Sequence, residues 1–516
     1  MKSLVVYLLT LISLLSHVQS AKILATFPFP GRSQYIFAES YLKALAARGH
    51  EVTVINTLPN KSTPNMRFIS APKIHEYFDE MMKEISAPTL WQQLNGYNRI
   101  LTKVTECTMN DLGVQKLLQS GETFDLVIAE TVQTEALFGL AQHFNATLIG
   151  LSSYGTDWEI DKLMGNTSPL SYNPPVTSSR TQHMNFYERL QNLYEFILTE
   201  VHWVLVHLPV MQRLYDKYFP NAKQTMAEVL GSFKLMLLGQ HFTLSHSRPY
   251  VPNMIEVGGL HISHKPAPLP EQIKQFIEAA PHGVIYFSMG SNVKSKDLPQ
   301  ETREMLLKVF GRLKQRVLWK FEDNQLPGKP DNVFISKWFP QPDILAHPQV
   351  KLFITHGGLL STIESVYFGK PVLGLPVFYD QFMNVERARR MGFGLGLSLI
   401  NMEEKQFEEA IQTLLNTASF AQASALISER YRDQPETSLE RAIWWTEYVI
   451  RHKGASHMRV AAMDLNFIQI HSLDTLGVLI GIPVLFLLLI GYLSCTMMRR
   501  GTGFKTKRLL AKQKKN

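Results

Sequence analysis

Apolar positions along the chain recur in two alternating rhythms. Lys22–Phe27 (KILATF) is a short apolar run that ends in Pro28-Phe29-Pro30-Gly31, a strand entering a loop. Tyr35–Arg48 then carries Ile36, Tyr41, Leu42 and Leu45 at helical spacing and stops at Gly49. Glu51–Asn56 is β-branched and apolar, a second strand. Strand, helix, strand is the opening of a parallel sheet. Phe124–Ala129, the helix Thr134–His143 and the strand Thr147–Leu151 repeat the unit. Ala87–Leu118 and Asn185–Tyr218 also read as helices. The second is rich in aromatics, including Phe186, Tyr187, Tyr194, Phe196 and Trp203. That stripe suits either a core or the lining of an apolar pocket.

His264–Pro270 (HKPAPLP) holds three prolines and marks a domain boundary. Beyond it the alternation restarts with strands at Gly283–Ser288, Gln315–Lys320, Asn332–Ser336, Lys351–Thr355 and Pro371–Leu375. Helices are expected at Leu298–Arg312, Gly358–Phe368 and Asp380–Met391. Two successive doubly wound sheets imply a cleft between them, with ligands at the carboxyl ends of the strands. This places residues 21–264 in an N-terminal domain and 265–455 in a C-terminal domain.

The ends of the chain carry a different pattern. Met1-Lys2, an apolar run Leu4–Leu15 and Val18-Gln19-Ser20 describe a secretory signal peptide over residues 1–20. After an amphipathic membrane-proximal segment, 456–474, residues 475–498 are apolar and uncharged, long enough for one transmembrane helix. The tail 499–516 carries Arg499, Arg500, Lys505, Lys507, Arg508, Lys512, Lys514 and Lys515 with no acid. It thus accounts for the whole net charge of +8 and leaves residues 1–498 neutral. The basic balance therefore argues for membrane orientation, with the tail cytosolic, and against nucleic acid. The last residues, Lys512-Gln513-Lys514-Lys515-Asn516, resemble a lysine-based endoplasmic-reticulum retrieval signal, the alternative being a plain basic juxtamembrane tail. Sequons at Asn60, Asn145 and Asn166 fit a lumenal location. Cys495 falls in the span, so a disulfide with Cys107 is excluded.

The densest chemistry lies in Ser336–Gln381. Strand Lys351–Thr355 ends in His356-Gly357-Gly358 before a helix. The glycines allow close backbone approach and the helix N-terminus offers free N–H groups, with His356 a charge-assisted donor on the lip of an anion site. The nicotinamide-type G-x-G-x-x-G and the Walker lysine motif are absent. Trp338 offers a flat face and Gln341 a donor and an acceptor, a combination that suits a nucleobase. Glu364 can accept from ribose hydroxyls, and Asp380-Gln381 puts a carboxylate and an amide at another strand end, where they can bind a polyol.

Trp338-x-Pro340-Gln341, Phe353-Ile354-Thr355-His356-Gly357-Gly358, Glu364, Gly369-x-Pro371 and Asp380-Gln381-x-x-Asn384 together resemble the signature of the UDP-glycosyltransferases. The likeness extends over essentially the whole chain, and Leu359-Leu360-Ser361-Thr362 is most similar to insect members. The resemblance implies an α/β fold of two Rossmann-like doubly wound domains facing a cleft, the GT-B-type glycosyltransferase fold, plus one C-terminal transmembrane helix. It further implies that Trp338 stacks on uracil and Gln341 contacts base or ribose. His356, Gly358 and Ser361, with Ser291 in the facing loop, would meet the diphosphate, Glu364 the ribose, and Asp380 and Gln381 the sugar hydroxyls. The activity implied is inverting transfer of a hexose from a UDP-sugar, the donor substrate, to a small lipophilic acceptor, without a metal or cofactor. The expected setting is the endoplasmic-reticulum membrane as a single-pass type I protein, with room for a homo-oligomer.

One departure stands out. The family places its general base, a histidine, in a loop read as Pro-Gly-x-Ser-His, whereas this chain has Pro30-Gly31-Arg32-Ser33-Gln34. An amide has no usable basicity near neutral pH. The position matching the histidine's acidic partner is Glu130, which is then either vestigial or a base acting through water. His50, between helix and strand at the far end of the fold, is read as structural. The segment 235–247 has no Lys or Arg to pair with a sugar carboxylate, which favours UDP-glucose as donor.

Overall fold

Seven parallel strands build the first sheet, in the order β3-β2-β1-β4-β5-β6-β7. They are β1 (Lys22–Phe27), β2 (Glu51–Asn56), β3 (Met66–Ser70), β4 (Leu126–Glu130), β5 (Thr147–Ser152), β6 (Met236–Leu238) and β7 (Met254–Glu256). Six more form the second sheet, ordered β10-β9-β8-β11-β12-β13. These are β8 (Val284–Ser288), β9 (Arg316–Lys320), β10 (Val333–Ser336), β11 (Val350–Thr355), β12 (Val372–Gly374) and β13 (Gly394–Gly396). The structure, a computed structural model, describes residues 20–82 and 84–513. The expected signal peptide (but for Ser20) and the last three residues of the expected retrieval signal lie outside them.

The strand order follows from burial. β1 and β4 are central, with Ile23 opposite both Val52 and Leu126, and β4 is buried at every position. A parallel strand covered on both faces must be apolar throughout, which is why these runs were legible. Strands β3, β6, β7 and β13 were not expected. β6 is three residues of Met and Leu, β13 is Gly-Leu-Gly, and β3 is half exposed, so none shows β-branched or alternating patterning. Each sheet has its order reversal between adjacent central strands, β1/β4 and β8/β11, and such points open a crevice at the carboxyl ends.

The helix after β1, α1 (Arg32–Ala47), begins three residues before the apolar periodicity. Ser33 and Gln34, expected in a loop, are therefore in its first turn. Its N-cap is Gly31, which has no capping side chain, so no Ser, Thr, Asp or Asn announced the start.

The aromatic stretch forms α2 (Phe186–His202), a π-turn at Trp203–His207, and α3 (Leu208–Tyr218). Its stripe was expected in a core or pocket and is split: Phe196 packs on buried Trp158 and Trp203 bonds Glu135, whereas Phe186, Tyr187, Leu190, Leu193, Tyr194, Ile197, Val204 and Leu205 are exposed. Polar groups also face inward. Asn192 donates to the carbonyls of Leu170 and Asn173, His202 bonds Asn95, and His207 lies 2.7 Å from Glu135. Periodicity showed the two faces but not which one the protein covers.

The second sheet carries α4 (Gln341–Ala346), α5 (Leu359–Tyr367) and α6 (Gln381–Arg390). The chain then crosses back. Helix α7 (Ser438–Arg451) packs on α1, and its Ala442 and Val449 join the core around Phe37, Tyr41 and Leu45. The last helix of the expected C-terminal segment 265–455 therefore packs on the first half. Tyr41 hydrogen-bonds Thr446, Arg48 grips Glu447 with two bonds of 2.9 Å, and Ser438 donates to Gly258 O. His50 is buried beside Glu447 and accepts from Ala21 N–H.

From Val460 onward the chain is a separate unit. Within it α8 (Leu473–Gln513) contains Leu473–Met498, a candidate membrane span by length and composition, with mean hydropathy 2.6.

Glu447 is 5 % exposed and touches Arg48, His50 and Arg451. Its replacement by Ala is expected to lower stability by about 1–3 kcal/mol. The same change should speed proteolysis at residues 452–459, measured by thermal melting and limited digestion. Unchanged digestion would mean that α7 is held by its apolar face alone.

Candidate functional site

A cavity of about 460 Å³ opens between the carboxyl ends of the two sheets. It is lined by Gln34 from the first half and by Ser291, Trp338, Gln341, His356, Gly358, Ser361, Glu364, Asp380 and Gln381 from the second. Of the expected non-glycan site residues, Glu130 alone is not part of that lining.

The second-half wall is built at strand ends. β11 closes at Thr355; His356 is buried, Gly357 takes φ +81°, and Gly358 caps α5. Substituents here have no room. A Cβ on Gly290 would lie 2.4 Å from the His356 ring, and one on Gly358 would lie 2.7 Å from its Nε2. The imidazole thus rests against bare backbone from two loops. Burial, with Lys320 nearby, lowers the His356 pKa to about 4. The expected charged donor is therefore neutral at physiological pH, because its walls exclude the water that would solvate an imidazolium.

The N-terminus of α5 is already occupied on one side. Asp380 Oδ2 accepts from Leu359 N–H at 3.1 Å and from Asn384 at 2.7 Å. Burial raises the Asp380 pKa to about 6. Gln381 Oε1 accepts from the N–H groups of Val377 and Phe378, which fixes its amide plane.

Trp338 and Glu364 anchor the other end. The indole is 44 % exposed at the cleft, with the Arg32 guanidinium 4.1 Å from its ring centre and Lys320 Nζ at 5.9 Å. Gln341 Nε2 donates to Glu364 Oε2 (2.7 Å) and Ser361 Oγ (3.0 Å), while its Oε1 accepts from Tyr286 (3.2 Å). Glu364 Oε1 lies 2.9 Å from His261 Nε2. Glu364 thus has a partner on each oxygen and needs no solvent. Sequence reading missed His261, Tyr286, Lys320 and Arg32. Lys320 closes the otherwise apolar Val317-Leu318-Trp319 run at the carboxyl end of its strand, a placement that could have drawn notice.

On the first-half side, Gln34 folds back over its own helix terminus. An ideal Cβ on Gly31 would fall 1.5 Å from Gln34 Oε1, a buried oxygen without a partner. Glu130 ends β4 at 2 % exposure. Its Oε2 accepts from Phe29 N–H at 3.3 Å, its Oε1 is unpartnered, and burial raises its pKa to about 8. It is thus protonated at neutral pH and sits behind Phe29, which lines the cavity. The rest of this wall mixes apolar Phe78, Leu94 and Leu101 with polar Gln93, Gln133, Ser153 and Thr199 and two carboxyl groups, Asp157 and Glu159. Burial raises both carboxyl pKa values, and each lifts the other or is lifted by a neighbouring acid.

The three sequon asparagines differ. Asn145 is exposed in a left-handed turn, whereas the Asn166 amide is bonded to Asp161 and to the Pro249 carbonyl. Asn60 is half-buried and its amide donates to the Leu58 carbonyl.

The neutral His356 has a measurable consequence. Below pH 6.5 the unfolded chain takes up a proton that the folded imidazole refuses until about pH 4, so its contribution to stability is lost as pH falls through that window. His356→Asn should lose less stability than wild type between pH 7 and pH 5, by about 2 kcal/mol, in denaturant titrations at each pH.

Comparison with known proteins places this geometry. The family model described as UDP-glucoronosyl and UDP-glucosyl transferase matches residues 30–508. UDP-glycosyltransferase UGT5 of Dactylopius coccus is 36% identical over 499 residues, 94% of each chain. UDP-glucosyltransferase 2 of the same organism is 34% identical, over 93% of this chain and 94% of its own. Human UDP-glucuronosyltransferase 2B15 is 29% identical, over 92% of this chain and 94% of its own. Among solved structures, the glycosyltransferase VinC in complex with dTDP matches with TM-score 0.56 at 16% identity, covering 84% of this chain and all of VinC. Spinosyn forosaminyltransferase SpnP matches equally well, and at such identity these two speak for the GT-B fold alone. The chain belongs to the UDP-glucoronosyl and UDP-glucosyl transferase family.

Proposed function

We propose that the protein transfers a hexose, with glucose the favoured sugar, from its UDP conjugate to a small lipophilic acceptor with inversion at the anomeric carbon. Gln34 in the base position then restricts it to acceptors that need little deprotonation, such as amines, thiols and acidic phenols. The observation that carries this reading is the cavity itself, in which Gln34 shares one space with Trp338, Gln341, Glu364 and Asp380.

In this reading uracil stacks on Trp338, Glu364 takes the ribose, the α5 terminus with Ser361, His356 and Ser291 faces the diphosphate, and Asp380 and Gln381 orient the sugar. Fixed donors aimed at the departing UDP stabilise its charge. What the base position lacks is a proton acceptor, since Gln34 is an amide. Glu130 is a poor substitute, being neutral at pH 7, bonded to Phe29 and outside the lining. The absence of Lys and Arg from residues 235–247 supports a neutral sugar over a uronic acid. The lumenal, endoplasmic-reticulum setting rests on the leader, the sequons and the tail.

The same features of Glu130 favour a second reading, a membrane-bound protein that binds UDP-sugar or a lipophile without turnover. Membranes given labelled UDP-sugars and a panel of alcohols, phenols, amines and thiols, with products identified by mass, separate the two. The transferase reading expects amine, thiol or acidic-phenol products. Binding of UDP without product from any acceptor sinks it.

Gln34→His should raise transfer to simple alcohols by about a hundred- to ten-thousandfold. For a phenol acceptor, the wild-type rate should climb with pH through the phenol's own pKa. Glu130→Gln should leave that profile in place; its collapse would make Glu130 the base after all.

A further inference from the structure

A UDP-sugar carries a diphosphate into a site that has little free positive charge. Among the described residues lining the cavity, Lys320 is the only lysine or arginine. Its Nζ is already bonded to the Gly290 carbonyl at 2.6 Å and to Glu322 at 2.9 Å. His356 is neutral above about pH 4. The Asp380 carboxylate, at the α5 terminus, adds negative rather than positive character.

One cation at the cleft is uncommitted. Arg32 is exposed, has no ion-pair partner among the described residues, and is the first residue of α1 on the opposite side of the cavity. Its guanidinium spans the cleft to lie 4.1 Å from the Trp338 ring centre. The indole is the one read above as the base platform, so guanidinium and uracil compete for its surface.

Magnitudes decide where the displaced group goes. A guanidinium on an exposed ring is worth about two- to fivefold in an equilibrium. A hydrogen bond from it to a charged oxygen is worth roughly ten- to hundredfold, and its planar fork suits phosphate. We propose that Arg32 is a donor-binding residue contributed by the N-terminal half, which a nucleoside diphosphate sugar lifts from the Trp338 face and recruits to its diphosphate. Because Arg32 and Gln34 share one helical turn, donor binding then also positions the acceptor wall. This rests on the reading of the cavity as a UDP-sugar site.

The test compares UDP with uridine, which has the base and ribose but no phosphate, by calorimetric titration of the full-length chain in detergent. Arg32→Ala should weaken UDP by roughly ten- to hundredfold. Uridine should bind it unchanged or up to about fivefold tighter, since the indole is freed. Arg32→Lys, which keeps a charge without the fork, should fall between wild type and Arg32→Ala for UDP alone. Equal UDP affinity in wild type and Arg32→Ala overturns the proposal while leaving the donor site standing. So does an equal loss for UDP and uridine. A wild-type chain that binds neither ligand overturns both the donor-site reading and the proposal.

Discussion

The constraint on which the rest depends is that two separate sheets must present their carboxyl ends to one shared space. A linker of prolines cannot fix that arrangement, because few contacts cross it. Helix α7 does so by returning the chain to the first half. It buries Ala442 and Val449 against α1, and surrounds the carboxylate of Glu447 with Arg48, His50 and Arg451. A buried carboxylate gripped by the Arg48 guanidinium is costly to separate, so the return crossing ties α7 to the first half as well as closing a core. Recombining halves of related proteins at residues 264–270 would separate α7 from the surface it was shaped to cover; residues 438–458 belong with the first half.

Within the cleft, the two walls differ in how their polar groups are satisfied. On the second-half wall, Gln341, Glu364, Ser361 and Tyr286 form one connected network, joined by His261 from the first half, and Asp380 and Gln381 are braced by backbone N–H groups. Such groups hold their orientation without a ligand, which reduces the reorganisation needed when one binds. The first-half wall has an unpartnered oxygen on Gln34, and Glu130 outside the lining has another. The two halves thus divide rigid recognition from unfinished chemistry.

Much of this was legible in the residues. The central strands were, because burial on both faces demands uninterrupted apolar runs. The stretch Ser336–Gln381 was, because glycines, an indole and a Pro-Gln turn at strand ends have few other uses together. Edge strands such as Met236–Leu238 were not, since three residues carry no period. The charge of His356 was misjudged because its burial depends on Gly290 as well as on adjacent Gly358, and Gly290 and Lys320 are remote in sequence. The same limit hid His261 and Arg32, whose partners lie far along the chain.

The inverted helix α2 bears on how the protein can be handled. Its inner face is secured by Asn192 and His202, while Phe186, Leu190, Tyr194 and Ile197 look outward. An apolar face of that kind in water favours association with any nonpolar surface it meets. Truncation before residue 473 would remove the span and leave this face in place. Water solubility of the folded part is therefore a property of residues 186–205 as much as of the anchor, and a detergent requirement should outlast the anchor's removal.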